Sequence, residues 1–458
     1  MSTQRAAQRL TRSSGHVRPA APVRIVHLGL GNFFRTHQAW YTDHAPDRED
    51  WGIAAFGGRG TEPARSLAAQ DGLYTLITRG PGTPTFETIT SVSAAHAATE
   101  HDRFRTLVAT AAVAVVTLTV TEAGYRRAPD GTLDTADPAV AADLATLRAD
   151  PQAPAATVPV RLAAGLAARR AAGAGPIAIV SCDNLAGNGP ATRRVVLDAA
   201  ELLDPALARW IDDQVTFPAT MVDRITPRTT TDDLDQVRND HHVDDPVPVV
   251  TEPFSEWVVA DSFPAGRPRW EDAGARLVAD VENHEARKLL MLNGSHSLLA
   301  YAGPLRGHTT VADAIADPVV RGWVEQWWDV AGRHVPVPDL GGYRDQLLDR
   351  FANPAMRHLL GQIAADGSEK LRVRTVPVLR TERRAGELPV GAVRVLAAWL
   401  LHLRGTDVAD PARDALTAAA RGELHAAAAG VLAVLDRDLA ADAALVRAVA
   451  GEAGRLGT

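Results

Sequence analysis

Val23-Arg24-Ile25-Val26-His27-Leu28-Gly29-Leu30-Gly31-Asn32-Phe33-Phe34 is the stretch on which the fold turns. Its first half is an apolar run that reads as a buried β-strand. Two glycines follow at once, and a helix-like stretch runs from Phe34 to Tyr41. A glycine turn between a buried strand and a helix is a setting for a dinucleotide. The first glycine permits the tight turn and the second lets the backbone approach a pyrophosphate. The helix N-terminus then offers N–H groups and the positive end of its dipole. Phe34 stands where the usual fingerprint has a third glycine. Tight strand-to-helix turns also use glycine for packing alone, so the motif leaves its ligand open. Glu62, beyond the next strand, is placed to bond an adenosine ribose, and Arg59 beside it could receive a 2′-phosphate. The acid favours NAD, with NADP not excluded.

Working outward, Ile53-Ala54-Ala55-Phe56 reads as the next strand, and the β-branched run Val113–Val120 as another. The helical stretch Val160–Ala172 precedes a further strand, Pro176–Cys182. Strands alternating with helices imply a mostly parallel sheet covered on both faces. Near residue 280 the character changes. Arg321–Val330, with Trp323, Trp327 and Trp328, and the Ala- and Leu-rich stretches Val393–Leu403 and Glu423–Leu435 read as helices packed on helices. The tryptophans, at helical spacing, are expected in the core. The expected organisation is a disordered tail over 1–22, an α/β Rossmann-type domain over 23–280 and a mostly α-helical domain over 281–458. The tail is rich in Arg, Ser, Ala and Pro, contains no acid and lacks the apolar core of a secretion signal.

Composition closes off other classes. The chain of 458 residues is 46% apolar and 22% charged, with a net charge of −7. That is globular composition, and the acidic balance argues against a general nucleic-acid binder. No apolar run is long enough for a transmembrane helix. A lone cysteine, Cys182, rules out internal disulfides and multi-cysteine zinc sites. The expectation is a cytoplasmic protein, monomeric or a small homo-oligomer. The patch Asp240-His241-His242-Val243-Asp244-Asp245 has metal-ligand residue types, but is expected to be a solvated loop. The 48 basic residues include only two lysines, Lys288 and Lys370. Arginine holds its proton, whereas a lysine can be tuned to release one. A chain that uses Arg almost everywhere else therefore draws attention to its lysines. Their scarcity also excludes a Walker A loop and the Tyr–Lys pair of short-chain dehydrogenases.

One of them lies in Glu285-Ala286-Arg287-Lys288-Leu289-Leu290-Met291-Leu292-Asn293-Gly294-Ser295-His296. On an ideal helix Lys288, Asn293 and His296 fall at roughly 0°, 140° and 80°, with Glu285 one turn before the lysine. Leu289 and Leu292 share the arc, so the face is mixed, as in a partly buried cleft wall. Gly294 inside a helix costs roughly 1 kcal/mol unless something needs close approach to the backbone. These residues alone leave a site and a plain helix equally open.

The segment resembles the signature of the polyol-specific long-chain dehydrogenases, the mannitol 2-dehydrogenase family, with Lys288, Asn293 and His296 at its Lys, Asn and His positions. Gly29-Leu30-Gly31-Asn32-Phe33-Phe34-Arg35-Thr36-His37-Gln38-Ala39 resembles the family's glycine motif, which accounts for the missing third glycine. Thr119–Tyr125, Ser181–Asn184, Val222–Pro227 and Glu252–Trp257 resemble further blocks, and the likeness runs from about residue 24 to 377. The resemblance implies a Rossmann-type domain followed by a helical domain, no metal, and an active site in the cleft between them.

By position, the resemblance makes Lys288 the general base, Asn184 and Asn293 the pair that holds the reacting oxygen, and Glu285 the proton relay. His296, Asp223 and Lys370 become substrate ligands. Gly29, Gly31, Asn32, Phe33, Glu62 and Glu122 fall on the cofactor side. Gln362 stands where the family often has a substrate-gripping Arg. An amide holds hydroxyls but not a carboxylate, which leans toward a neutral sugar alcohol. The implied activity is metal-independent, NAD-dependent interconversion of a sugar alcohol and a ketose. The alternative within the family is a fructuronate or tagaturonate reductase. A non-catalytic dinucleotide sensor is the alternative outside it, and the presence of Lys288 and both asparagines speaks against that.

Overall fold

The computed structural model describes every residue except 1–6, 15–16, 59, 339, 406–408 and 458. The chain separates into two compact units, one ending at Val281 and the other beginning at Glu282.

The first unit is built on six strands: β1 (Val23–Leu28), β2 (Gly52–Phe56), β3 (Val92–His96), β4 (Val115–Leu118), β5 (Ile177–Ser181) and β6 (Val215–Thr216). Their spatial order is β3-β2-β1-β4-β5-β6, and every pairing is parallel. This is the doubly wound order of dinucleotide-binding domains, whose switch point lies between β1 and β4. Successive side chains point to opposite faces. Val26, Leu28, Ala54, Val116 and Ile179 pack with Val160 and Leu162 of the helix Val158–Ala171. Ile25, Ile53, Ala55, Val115 and Ala178 enter a second core with Tyr41, Trp257 and Trp270. Burial on both faces is why the strands read as mainly apolar runs rather than alternating ones.

Three features differ from the sequence expectation. The helix expected from Phe34 to Tyr41 is two helices, Asn32–Thr36 and Gln38–His44, broken at His37 with φ −120° and ψ −88°. The break lets His37 Nε2 meet the Glu256 carbonyl at 3.1 Å. The expected tail lies against the unit over 7–14 and 17–22. Gln8–Arg9 pairs with Val243–Asp244, and Arg12 donates to the carbonyls of Arg18, Thr90 and Val92 at 2.7, 2.7 and 3.1 Å. Arginine content suggested a solvated tail, but a guanidinium with five donors can equally fasten a strap to exposed carbonyls. Finally, the acidic patch at 240–245 is partly structural. Asp245 is buried and accepts from the Thr75 N–H at 2.6 Å and from Gln70 at 2.9 Å.

His27, on the central strand, is fully buried. Its ring stacks on Phe34 at 3.6 Å and bonds Thr117 and Thr119 at 2.8 and 3.1 Å. Burial, outweighing a bond involving Gly29, pushes its pKa down to about 3. In the unfolded chain it titrates near ~6.5. Between these values the unfolded state binds the extra proton. The contribution of His27 is therefore complete above pH ~6.5 and is lost as pH falls toward 3, by up to about 1.4 kcal/mol per pH unit. Thermal melts from pH ~7 to ~4 are expected to show a falling Tm, with a shallower slope in His27→Gln. An equal slope in the variant removes His27 as the cause.

The second unit is helical. Tyr301, Trp327, Trp328 and Trp399 are fully buried in one core with Leu298, Val324 and Leu396. The long helices Pro318–Ala331, Val390–Gly405 and Ala443–Leu456 frame it. Among the described residues no helix is long and apolar enough to cross a membrane.

Candidate active site

In the first unit the candidate residues gather where β1, β4 and β5 end. Gly29 has φ +106°, and a Cβ there would lie 2.0 Å from the Thr119 carbonyl oxygen. Only glycine fits this crossing of β1 past β4. Thr119 Oγ1 locks the turn by donating to the Gly29 carbonyl at 2.8 Å. At Gly31 a Cβ would meet nothing nearer than the Gly29 oxygen at 3.6 Å. Open space above that backbone, and first-turn N–H groups that lack intrahelical partners, fit the pyrophosphate of a dinucleotide. Asn32 turns its side chain inward, accepting from Arg35 at 2.7 Å and donating to the Pro227 carbonyl at 3.3 Å. Its main chain is what remains for a ligand. Phe33 stacks on His37 at 5.0 Å.

After β4 and β5 the loops are tied together by Asp183. Its carboxylate accepts from the N–H groups of Val120 and Thr121 at 3.0 and 2.9 Å and from the Tyr125 hydroxyl at 2.6 Å. Burial raises its pKa against these bonds. The clamp holds Thr121 at φ +67° and ψ 161°, a region costly for a β-branched residue. Glu122 and Asn184, the neighbours of the clamped residues, are both exposed. Sequence reasoning passed over Asp183, although it adjoins Asn184. Asp223 is buried at the end of Thr220–Asp223 and pairs in register with Glu256. Glu62 stands apart from this group. It is exposed at the start of the helix Glu62–Ala69, beyond the Gly57-Gly58 turn, and accepts from Ser66 at 3.3 Å. Arg59 lies outside the described residues.

In the second unit the lysine segment is not a regular α-helix. Glu282–Arg287 and Gly294–Ala302 are α-helical, but Lys288–Asn293 between them forms a π-helical turn. The angles expected for an ideal helix therefore change. An i→i+5 turn takes roughly 4.4 residues, about 80° each, so five steps bring Asn293 to within about 50° of Lys288. Three further α-helical steps return His296 to within about 10° of the lysine. Glu285, three steps earlier, falls at about 60°. The wide turn thus gathers on one face residues that a plain helix would spread. Lys288 is buried, while Glu285, Asn293 and His296 are half-buried.

Gly294 also finds its reason. A Cβ there would lie 2.6 Å from the Trp327 ring. Trp327 and Trp328 are core residues, as expected from their spacing, while Trp323 is only partly buried against that core, and the two buried rings donate as well. Trp327 Nε1 bonds the Leu290 carbonyl at 2.9 Å and Trp328 Nε1 the Met291 carbonyl at 3.0 Å.

Burial holds His296 well below the usual histidine range, and His358, Arg374, Arg350 and Lys288 add to the effect. Its Nε2 is enclosed without a hydrogen-bond partner among the described residues. His358, edge-on to it at 5.1 Å, gave no sequence signal. Arg374, one helical turn beyond Lys370, bonds the Asn293 carbonyl and Ser297 Oγ, each at 3.0 Å. Lys370 Nζ donates to the carbonyls of Ile363 and Ala365 at 3.0 and 2.6 Å, which leaves one ammonium donor for a ligand. Gln362 is exposed on the short helix Leu360–Ile363 just before that loop.

Among the described residues, the side chains grouped closely enough to share a metal ion are Asp43, His44 and Glu87. They are already paired: Asp43 with Arg18 and His44 with Glu87, each at 2.9 Å.

Comparison with known proteins bears on both units. Residues 23–272 match the model of the mannitol dehydrogenase Rossmann domain, and residues 280–455 that of the mannitol dehydrogenase C-terminal domain. The chain is 38% identical to D-mannonate oxidoreductase of Escherichia coli K12, over 84% of this chain and 80% of that protein. It is 37% identical to mannitol 2-dehydrogenase of Cereibacter sphaeroides, over 85% and 82%. Among solved structures it is similar to Pseudomonas fluorescens mannitol 2-dehydrogenase in ternary complex with NAD and D-mannitol. That match has a TM-score of 0.81 at 32% identity and covers 98% of this chain and 97% of the other. Strand order, glycine turn, helical second unit and matches across nearly the whole length agree, and the chain belongs to the mannitol dehydrogenase family of polyol oxidoreductases.

Proposed function

We propose that the protein interconverts a sugar alcohol and a ketose with NAD, without a metal ion, and that Lys288 is its general base. The observation that carries this is the π-helical turn, which aligns Lys288, Asn293 and His296 on one face. A buried lysine is suited to giving up its proton and taking one from an alcohol. The amides of Asn184 and Asn293 hold the developing alkoxide. Glu285, one turn before the lysine, passes the proton to solvent. His296, neutral at working pH, offers one donor and one acceptor, which is what a substrate hydroxyl needs. Asp223, Lys370 and Gln362 hold further hydroxyls. Gly29, Gly31, Asn32 and Phe33 supply the main-chain cradle, with Glu62 and Glu122 as the cofactor's acidic neighbours. NAD, when bound, accepts the hydride.

A second reading is favoured by one observation. Two of the groups that depress His296 are arginines, Arg374 and Arg350, which keep their charge. Such surroundings suit a carboxylate despite Gln362, and D-mannonate oxidoreductase is among the relatives. The substrate then is a hexuronate, reduced at its ketone. A panel decides between them: mannitol, arabinitol, sorbitol, fructuronate and tagaturonate, each with NAD(H) and NADP(H). The expected result is highest kcat/KM on a neutral polyol with NAD. Preference for a uronate selects the second reading, and no turnover on any member removes both.

A further inference from the structure

The π-helical turn needs support. An i→i+5 turn is rare, and a helix left to itself keeps α geometry. Along an α-helical path Lys288 and Asn293 diverge by about 140°. Something outside the segment must favour the wide turn: Arg374 bonds the carbonyl at its end, Asn293, and two bonds reach its middle from a single helix.

Trp327 and Trp328 are consecutive on the helix Pro318–Ala331. Their indole nitrogens donate to consecutive carbonyls, Leu290 and Met291, in the middle of the turn. Both rings are fully buried, so neither N–H has water as a substitute. The approach is specific. Gly294 has ordinary helical backbone angles, φ −62° and ψ −44°, so no dihedral demands glycine there. The demand comes from the Trp327 ring, whose Cζ2 and Nε1 lie 2.6 Å from the Cβ position. Gly391, on the helix Val390–Gly405, admits the backbone of the tryptophan helix: a Cβ there would lie 2.5 Å from the Gln326 carbonyl oxygen and 2.8 Å from the Trp327 Cα. Gly294 thus seats the indole against the turn, and Gly391 seats the main chain that carries it. Ser295 Oγ also donates to the Met291 carbonyl, at 2.5 Å.

We infer that Trp327 and Trp328 are positioning residues for the reaction: their indole N–H groups hold residues 288–293 in the wide turn and so set Lys288 against Asn293. The inference rests on Lys288 being the base. Both indoles act through the backbone and touch no reacting atom.

The test removes the N–H groups and keeps the rings. In Trp327→Phe plus Trp328→Phe, kcat is expected to fall roughly 10–100-fold, the usual cost of a misplaced catalytic group, while KM and the NADH titration stay within about twofold. Amide hydrogen exchange over residues 290–296 of the cofactor-free protein is expected to speed up. If phenylalanine leaves the core too loose to fold, 3-benzothienylalanine at position 327 or 328 preserves the ring shape and replaces N–H with sulfur. The same selective fall in kcat is expected. Wild-type kcat in the folded double variant or in the benzothienyl enzymes overturns the inference. Lys288→Ala, assayed alongside, separates the two levels. An active Lys288→Ala enzyme removes the base assignment and this inference with it. An inactive one beside fully active tryptophan variants removes this inference alone.

Discussion

Lys288→Ala is expected to lower turnover by ~10²–10⁴, the usual worth of a positioned general base, and to leave NADH binding as it was. The two effects separate because the glycine turn belongs to the first unit and the lysine to the second. Lys288→Arg is the sharper variant. It keeps a cation and much of the length, but a guanidinium does not release its proton. If Lys288 serves only as a charge, Arg restores activity. If it takes a proton, Arg is as inactive as Ala. Steady-state oxidation of the preferred polyol, with fluorescence titration of NADH, reads both. Near wild-type turnover in Lys288→Ala removes the lysine from the base role.

The second large effect concerns the turn after β1. Gly31→Val is expected to abolish NADH binding in a protein that still folds. The position has no positive φ, and a Cβ there meets only ordinary contact within the protein, so the added side chain fills the space the ligand needs. Gly29→Val is expected to fail differently. With φ +106° and the Thr119 oxygen 2.0 Å from a Cβ, it disrupts the β1–β4 crossing and lowers the melting temperature. Two glycines separated by one residue thus report on folding and binding separately. A folded Gly31→Val protein that titrates NADH normally overturns the cradle assignment.

The parallel sheet was legible because its strands are buried on both faces, and mainly apolar runs such as Val23–Leu28 and Ile177–Ser181 carry that signature. The break at His37 was not, since it depends on the Glu256 carbonyl far along the chain. The lysine, asparagine and histidine could be picked out, but not their alignment. Periodicity assumes about 100° per residue, and the departure from it is tied to two indoles from another helix. Gly294 was the one local sign of that helix. Asp183 and His358 stayed hidden because their roles lie in partners distant in sequence.

The first helix after the glycine turn is held by late-arriving chain. Thr36 bonds Thr226 at 2.7 Å, Arg224 reaches the Thr36 carbonyl, Asn32 reaches Pro227, and His37 reaches Glu256. On the ribosome, then, the opening strand and its turn emerge long before the residues that brace them. A nascent chain can assemble its sheet early, yet the helix after the glycine turn gains its last brace only after roughly residue 256 has left the exit tunnel. The bracing of that helix is therefore a late event in the synthesis of this lobe.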